Sequence, residues 1–582
     1  MTFSVKKYVE MDLHFIYNLF RMETAKIVLM ILGGLGALLV GMEILQQSTE
    51  KLATTGLKKL FSKTSKNPFV GLGIGTLATM IMQSSGATTV MVVGFVNAGV
   101  MSLTQATAYI MGANIGTTIT AQIVALGDLP ITPIIIALTL VGILMKMFLN
   151  KSHPKIADIG MLIVGLGILF LGLEVMESNM ESLLTESVTN FLQQITNPFL
   201  LLLIGILTTV AFQSSSAITS IIIALIMAAG YNIFPGNAVL FIILGTNIGS
   251  TSTALISAIG STTYGKRASM IHLIFNTLGS MLFFILLVCV PNFYEVTFGS
   301  WFKSSPQTAI AMFHTFFNVV CTIIFMPLTK FIVKLASLMV PEKKNGDKQS
   351  DIDAMLDERF LENTAIAYSQ AVAYYHKLYQ IAKDDLDIAI NAFLNKDTSK
   401  EKNVDDTESR VLQMTKNLTS FVIKIQSLGV SEEIYSKLSQ MLLDATDLIR
   451  LTEVADNLTG YTNHVVNDDL TFSDIVKDQI LQMQSLLTQQ FEIVQKIVDN
   501  PSLELLAQEH VIEDKVDDLR TEMVASHMER LKDNVCAPEN SSIFINLVSN
   551  LERCGDHFNF VSERACAKLL GNSDSINLAT HA

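Results

Sequence analysis

The chain has 582 residues, half of them hydrophobic, with a mean hydropathy of +0.44 and a formal net charge of −13. That composition excludes an ordinary soluble fold for much of its length. Residues 1–341 carry 17 Lys and Arg against 12 Asp and Glu, and the remainder carries 23 against 41, so a membrane domain followed by an acidic soluble domain is expected.

Residues 1–24 form an N-terminal segment, and 25–341 the membrane domain. Apolar stretches long enough to span a bilayer cover 27–47, 104–126, 131–149, 158–176, 237–259, 267–291 and 308–335. A cleaved signal peptide does not account for so many runs. Residues 71–82 and 90–100 differ: they are shorter apolar runs broken by QSSGATT. A dozen helical residues reach roughly 18 Å, well short of the hydrocarbon core. The pair is expected to be a re-entrant helical hairpin whose tip is buried in protein or lines a cavity.

The second half of the membrane domain repeats the first. NPFVGLGIGTLATMIMQSS from Asn67 corresponds to NPFLLLLIGILTTVAFQSS from Asn197, at an offset of 130. GALLVGME from Gly36 corresponds to GILFLGLE from Gly167 at 131, and MGANIGTTITA from Met111 to LGTNIGSTSTA from Leu244 at 133. Repeat one is taken as 27–149, repeat two as 158–286, with a final span at 308–335. If the hairpins do not cross, each repeat crosses three times, and the second copy is inserted upside down. Lys51, Lys58, Lys59, Lys63 and Lys66, then Lys146, Lys151 and Lys155, then Lys266 and Arg267, then Lys330, Lys334, Lys343 and Lys344 fall on one side. The acidic loop Glu174–Glu186 falls on the other, which makes the basic side cytoplasmic. Lys303 and the basic N-terminal residues Lys6, Lys7, Arg21 and Lys26 do not fit this count.

Inverted repeats with broken helices at mid-membrane are the pattern of secondary transporters. Hydroxyls and an amide in hydrocarbon are costly unless they bind something. They also glue helices together, but two QSS blocks on paired tips favour binding. From Asn67 to Gly127, and from Ser187 to Gly265, there is no Asp, Glu, Lys or Arg. An anion there must be held by hydroxyls, amides and half-helix N-termini. A cation must be held by oxygens, which suits sodium. Binding both together offsets the charge, so the composition favours anion–sodium symport.

The QSSG and QSSS blocks, with GANIGTT and GTNIGST after them, closely resemble the type II sodium/phosphate cotransporter family over residues 25–340. The resemblance implies a sodium site at Gln213, Ser214, Ser215, Ser250 and Thr253. It implies phosphate and further sodium at Gln83, Ser84, Ser85, Asn114, Thr117 and Asn247. Two departures stand out: Gly86 replaces the third serine of the first block, and Ser250 stands where Thr is usual.

His272 in HLIFN and His314 in HTFFN form another short similarity, and their rings are expected to satisfy neighbouring carbonyls rather than relay protons. Gly33, Gly34, Gly36, Gly165 and Gly167 read as helix-packing surface. No Walker motif supports ATP-driven transport, and no nucleophile–base pair supports an enzyme. Cys289, Cys321, Cys536, Cys554 and Cys566 show no CxxC spacing and are expected to be reduced thiols.

Residues 342–352 are taken as a linker, 353–570 as a helical domain and 571–582 as a tail. The helical domain shows breaks near 397, 429, 468, 500 and 536, which gives six amphipathic helices. EKNVDDTESRV from Glu401 resembles EDKVDDLRTEM from Glu513, and LTEVADNL from Leu451 aligns with LERCGDHF from Leu551. Two three-helix bundles in tandem follow. Glu401/Asp405, Glu513/Asp517 and Glu552/Asp556 each place two carboxylates one turn apart, and Thr452 replaces the Glu expected before Asp456. The pattern is similar to the PhoU family of phosphate-signalling proteins, which implies a divalent metal or iron, here at Glu513, Asp517, Glu552 and Asp556.

The expected fold is all-α: a polytopic transporter with two inverted repeats and paired hairpins, joined to a two-bundle domain. The expected function is sodium-coupled transport of inorganic phosphate across the cell inner membrane, with the soluble domain cytoplasmic and regulatory. The alternatives are a membrane-anchored phosphate sensor, or a transporter of another small oxyanion. Expected partners are phosphate, sodium, the lipid bilayer and phosphate-signalling proteins; a homo-oligomer is compatible with the sequence, and nucleic acid is not expected.

Overall fold

The computed structural model describes residues 25–52, 67–183, 186–342, 352–361, 364–533 and 538–571. Residues 1–24, Lys58, Lys59, Lys63, Lys66, Lys343, Lys344, Cys536 and residues 572–582 lie outside the described residues. Among those described there is no strand. The chain divides into two compact units, Met1–Ala354 and Met355–Ala582.

The first unit begins with α1 (Ala25–Leu52), α2 (Pro68–Met82), α3 (Ser85–Asn97), α4 (Leu103–Gly116), α5 (Thr118–Ala125) and α6 (Thr132–Leu149). The second copy runs α7 (Pro154–Leu183), α8 (Glu186–Gln194), α9 (Pro198–Phe212), α10 (Ser215–Ala229), α11 (Ala238–Gly249) and α12 (Ser252–Ser257). Then come α13 (Thr263–Cys289), the short α14 (Phe293–Val296) and α15 (Phe298–Trp301), α16 (Pro306–Phe325) and α17 (Thr329–Met339). Among the described residues, six helices are long and apolar enough to cross a membrane: α1, α6, α7, α11 joined with α12, α13 and α16. The chain is a multi-pass membrane protein.

Equivalent residues start and stop equivalent helices. Asn67 caps α2 by accepting from the Phe69 N–H, and Asn197 caps α9 by accepting from those of Phe199 and Leu200. Pro68 and Pro198 follow at the first helical position, where a missing N–H costs nothing. Fifteen residues later both helices stop at a glutamine, Gln83 or Gln213.

Two expected spans and one loop are corrected. The stretch 104–126 is not continuous: α4 and α5 meet at Thr117, as α11 and α12 meet at Ser250–Thr251. There the hydroxyls of Thr118, Ser250, Thr251 and Thr253 each donate to a carbonyl three residues back, which competes with the helical ladder. The final span ends at Phe325 rather than 335, because Pro327 cannot continue it, and α17 is a separate helix. The acidic loop expected from Glu174 begins inside α7, which runs unbroken to Leu183; no Gly or Pro interrupts it there.

Glycines set the packing. A Cβ on Gly75 would lie 2.1 Å from the Tyr109 carbonyl, and one on Gly205 equally close to that of Ile242. Gly112 and Gly245 press on the carbonyls of Leu72 and Leu202 in the same way. Thus α2 lies on α4 as α9 lies on α11. The first helices of the two copies also pack on each other: Gly34 abuts Gly172, and Gly41 abuts Gly165. Gly34 and Gly165 are equivalent, as are Gly41 and Gly172, so the contacts exchange when the copies are exchanged and the helices run antiparallel. Gly167 meets Thr139, whereas Gly33 and Gly36 face open space and do not serve the packing expected of them.

Ile352 is buried, and the Asn97 amide donates to the Ala354 carbonyl at 2.9 Å, so residues 352–354 belong to the first unit.

In the second unit the helices are α18 (Thr364–Asn395), α19 (Glu401–Ser427), α20 (Glu432–Asn467), α21 (Asp474–Asp499), α22 (Leu503–Lys532) and α23 (Asn540–Leu570). The breaks fall where expected. α18, α19 and α20 pack on one another, as do α21, α22 and α23. A buried charge network joins α20 to α23: Asp447 meets the His557 ring at 2.8 Å, and Arg564 bonds both Asp444, at 2.9 Å, and Asp447.

Candidate functional site

The two Gln-Ser-Ser elbows have one geometry. Gln83 and Gln213 both adopt φ 51°, a left-handed conformation that a non-glycine residue holds only when its surroundings impose it. The following serine is extended, and its Oγ accepts from a backbone N–H three residues on: Ser84 from Ala87, Ser214 from Ala217, each at 3.1 Å. Ser85 and Ser215 open the next helix and are buried. Each elbow therefore aims a helix N-terminus, with its partial positive charge, into a break between two short apolar helices. The side chain of Gln83 is half-buried and that of Gln213 exposed, so the glutamine amides lie on the accessible side.

The helix junctions hold the other expected residues. Asn114 and Asn247 are buried and donate to the carbonyls of Ile110 and Ile243 at 2.9 and 3.0 Å. Thr117 is buried at the α4–α5 junction. Ser250 and Thr253 bond carbonyls of their own segment, those of Asn247 and Ser250, rather than the second elbow. What the structure does bring together is the first elbow and the second junction: a Cβ on Gly86 would lie 2.9 Å from Thr253 Oγ1. The missing serine of QSSG therefore has a steric reason. The other pairing matches it, since α10 packs on α5 as α3 packs on α12.

Several polar groups escaped the sequence reading. Thr79 donates to Thr88 across the two arms of the first elbow at 2.8 Å. Its counterpart Thr209 is buried with its hydroxyl unpartnered, because Ile218 stands where the first copy has Thr88. The offset of 130 pointed to both. Asn97 closes the far end of α3, accepting from the Thr262 N–H at 2.7 Å; nothing in a single-copy motif signals it.

In the second unit the two intact E-x-x-x-D pairs do influence each other. Burial, followed by the neighbouring carboxylates, pushes Glu513 up to about 7, and Glu552 and Asp556 are raised for the same reasons. Arg520 stands 3.8 Å from Glu552. Among the described residues, no three His, Cys, Asp or Glu are grouped to hold a metal ion. The expected divalent metal or iron at Glu513, Asp517, Glu552 and Asp556 is therefore not supported. In the first half, Asp456 is raised by burial and by Asp405 and Glu401. Thr452 is buried and donates to the Ile449 carbonyl. Asp385 of α18 was missed; burial and the nearby Glu408 and Asp456 push it up to about 7. It lies in KDDLD, outside any E-x-x-x-D pair.

Against known proteins, the profile of the Na+/Pi-cotransporter family matches the chain twice in tandem, at residues 37–178 and 172–289. YqeW of Bacillus subtilis, an uncharacterized protein, is 30% identical over 308 residues, 52% of this chain and 95% of the relative. The chain belongs to the Na+/Pi-cotransporter family. YjbB of Escherichia coli K12, named for inorganic phosphate export, is 22% identical over 540 residues, covering 91% of this chain and 95% of that protein. Human sodium-dependent phosphate transport protein 2B is 38% identical over 100 residues, 17% of this chain and 14% of that one. No solved structure matches. This Na+/Pi-cotransporter family member is accordingly a transporter rather than an enzyme.

Proposed function

We propose that this chain carries inorganic phosphate across the cell inner membrane, coupled to sodium, by means of two inverted repeats whose elbows are the tips of re-entrant hairpins. The carrying observation is the paired elbow geometry: two strained glutamines, two serine caps and two buried helix N-termini in a region without a single charged side chain. Helix N-termini and hydroxyls suit the anion, and the oxygens of Gln213, Ser214, Ser215, Ser250 and Thr253 suit sodium. Gln83, Ser84, Ser85, Asn114, Thr117 and Asn247 take phosphate and further sodium. The antiparallel exchange of Gly34–Gly172 with Gly41–Gly165 supports inversion, since copies related by a two-fold axis in the membrane plane meet in that way.

The second unit, with α18–α20 and α21–α23 as two three-helix bundles, is on this reading a PhoU-like cytoplasmic regulator. Purified full-length protein in proteoliposomes tests the proposal: an inward sodium gradient must drive labelled phosphate uptake, and sulfate and dicarboxylates must compete weakly. Flux independent of sodium would refute the coupling. A second reading, outward phosphate movement, is favoured by the match to YjbB along nearly the whole chain. Reversing the sodium gradient in the same vesicles distinguishes it.

A further inference from the structure

His272 and His314 were expected to satisfy neighbouring carbonyls, and the structure shows that they do not. Their side chains are 0% and 3% exposed, and neither ring nitrogen of either has a hydrogen-bond partner. Each stands one turn before an asparagine. Asn276 and Asn318 donate their amide N–H to the His272 and His314 carbonyls at 3.3 and 2.9 Å, and the Oδ1 atom of each is buried and unpartnered. Thr89 and Thr219, equivalent in the two copies, are buried with unpartnered hydroxyls as well. Buried polar groups are rarely left without a partner, so six such side chains in two matching sets call for a ligand.

Topology brings each set to an elbow. Asn97, the last residue of α3, accepts from the Thr262 N–H at the start of α13, and α13 packs along α3. Ten residues on, roughly 15 Å along the helix, His272 reaches the level of Thr88 and Thr89. Asn276 lies a further turn toward Ser84 and Ser85. α16 packs on α10, α5, α4 and α11 as α13 packs on α3, α12, α11 and α4. Gln122 of α5 donates to Thr315, beside His314, at 2.9 Å. The two pairs therefore lie on helices that pack in matching ways on the two elbow helices, α3 and α10.

We propose that His272–Asn276 and His314–Asn318 are the groups that select a protonated oxyanion at the two elbows. This rests on the phosphate reading above. Neutral imidazole and threonine hydroxyl donate to anionic oxygens without adding charge. The asparagine Oδ1, which can only accept, requires a donor: phosphate near neutral pH carries a P–OH, and sulfate carries none. A site that leaves a buried acceptor unpaired rejects the ligand lacking the donor.

Equilibrium binding of labelled phosphate to the detergent-purified full chain in sodium, with sulfate as competitor, tests the assignment. Asn276→Ala and Asn318→Ala should reduce the preference for phosphate over sulfate by about tenfold each. His272→Phe should weaken phosphate binding by a similar factor, and His272→Gln, which keeps an N–H donor, should restore most of it. Variants are accepted for measurement when they remain monodisperse. If all of them keep wild-type affinity and selectivity, the groups are satisfied by buried water and the assignment is overturned. Wild-type binding without sodium-driven flux would refute the transport reading and leave this one standing, whereas absent binding would end both.

Discussion

Gly86→Ala probes the contact between the copies. The substitution places a Cβ 2.9 Å from Thr253 Oγ1 and 3.4 Å from its Cβ. Restoring ordinary contact requires the hydroxyl to retreat by roughly 0.5 Å. That stretches its bond to the Ser250 carbonyl, now 3.1 Å, and withdraws an oxygen from the proposed sodium site. A net hydrogen bond is worth about 1 kcal/mol, or roughly a fivefold change in an equilibrium constant. The apparent sodium affinity of phosphate flux in proteoliposomes should therefore fall about fivefold, while the amount of inserted protein stays the same. Gly86→Ser should behave no better, although it restores the serine usual in the family, because its Cβ meets the same atom. Unchanged sodium affinity in both variants would show that Thr253 is not a ligand, and the link between the first elbow and the sodium site would be lost.

Gln213→Ala and Ser215→Ala each remove an oxygen from the second elbow, and should lower apparent sodium affinity far more than expression; the same flux assay reads both. Asp385 has its carboxyl raised from 3.8 to about 7 by burial. Its contribution to stability is fully present below about pH 4 and is lost as pH rises through 7. The shift of about three units corresponds to about 4 kcal/mol at most. Asp385→Asn should thus raise the melting temperature of the second unit at pH 8 and leave it unchanged near pH 3.5, and an equal effect at both would contradict the burial argument. Truncation after Ala354 should leave a transporting membrane unit. Truncation after Glu342 should transport with the same phosphate KM but melt lower, because the buried Asn97 amide loses its Ala354 acceptor at a cost of about 1–3 kcal/mol.

The duplication was legible because both copies keep the same local physics: Asn-Pro to start a helix, Gln-Ser-Ser to break it, Asn-Ile-Gly to pack the next one. The six helices of the second unit were legible because the chain changes composition at each break. Hydropathy alone did not see helix ends inside apolar sequence. Pro327 stops α16 while the stretch stays greasy, and the hydroxyls of Thr118 and Ser250 divide segments whose hydropathy is continuous. Charge compensation is also invisible along one helix: Glu552 finds Arg520 only once α22 and α23 pack, and Asp385 joins Asp456 only across three helices. The histidines were noticed as a motif, yet their lack of partners became evident only once every neighbouring carbonyl was placed.

Sodium-gradient-driven uptake of labelled phosphate by the purified full-length protein, compared with the Ser85→Ala, Ser215→Ala double variant, is the most direct measurement of the transport proposal. Wild type should accumulate phosphate only with sodium outside, and the double variant should insert normally and accumulate little. Equal uptake by the two proteins, or uptake that potassium supports as well as sodium, would contradict a sodium–phosphate site built on the paired elbows.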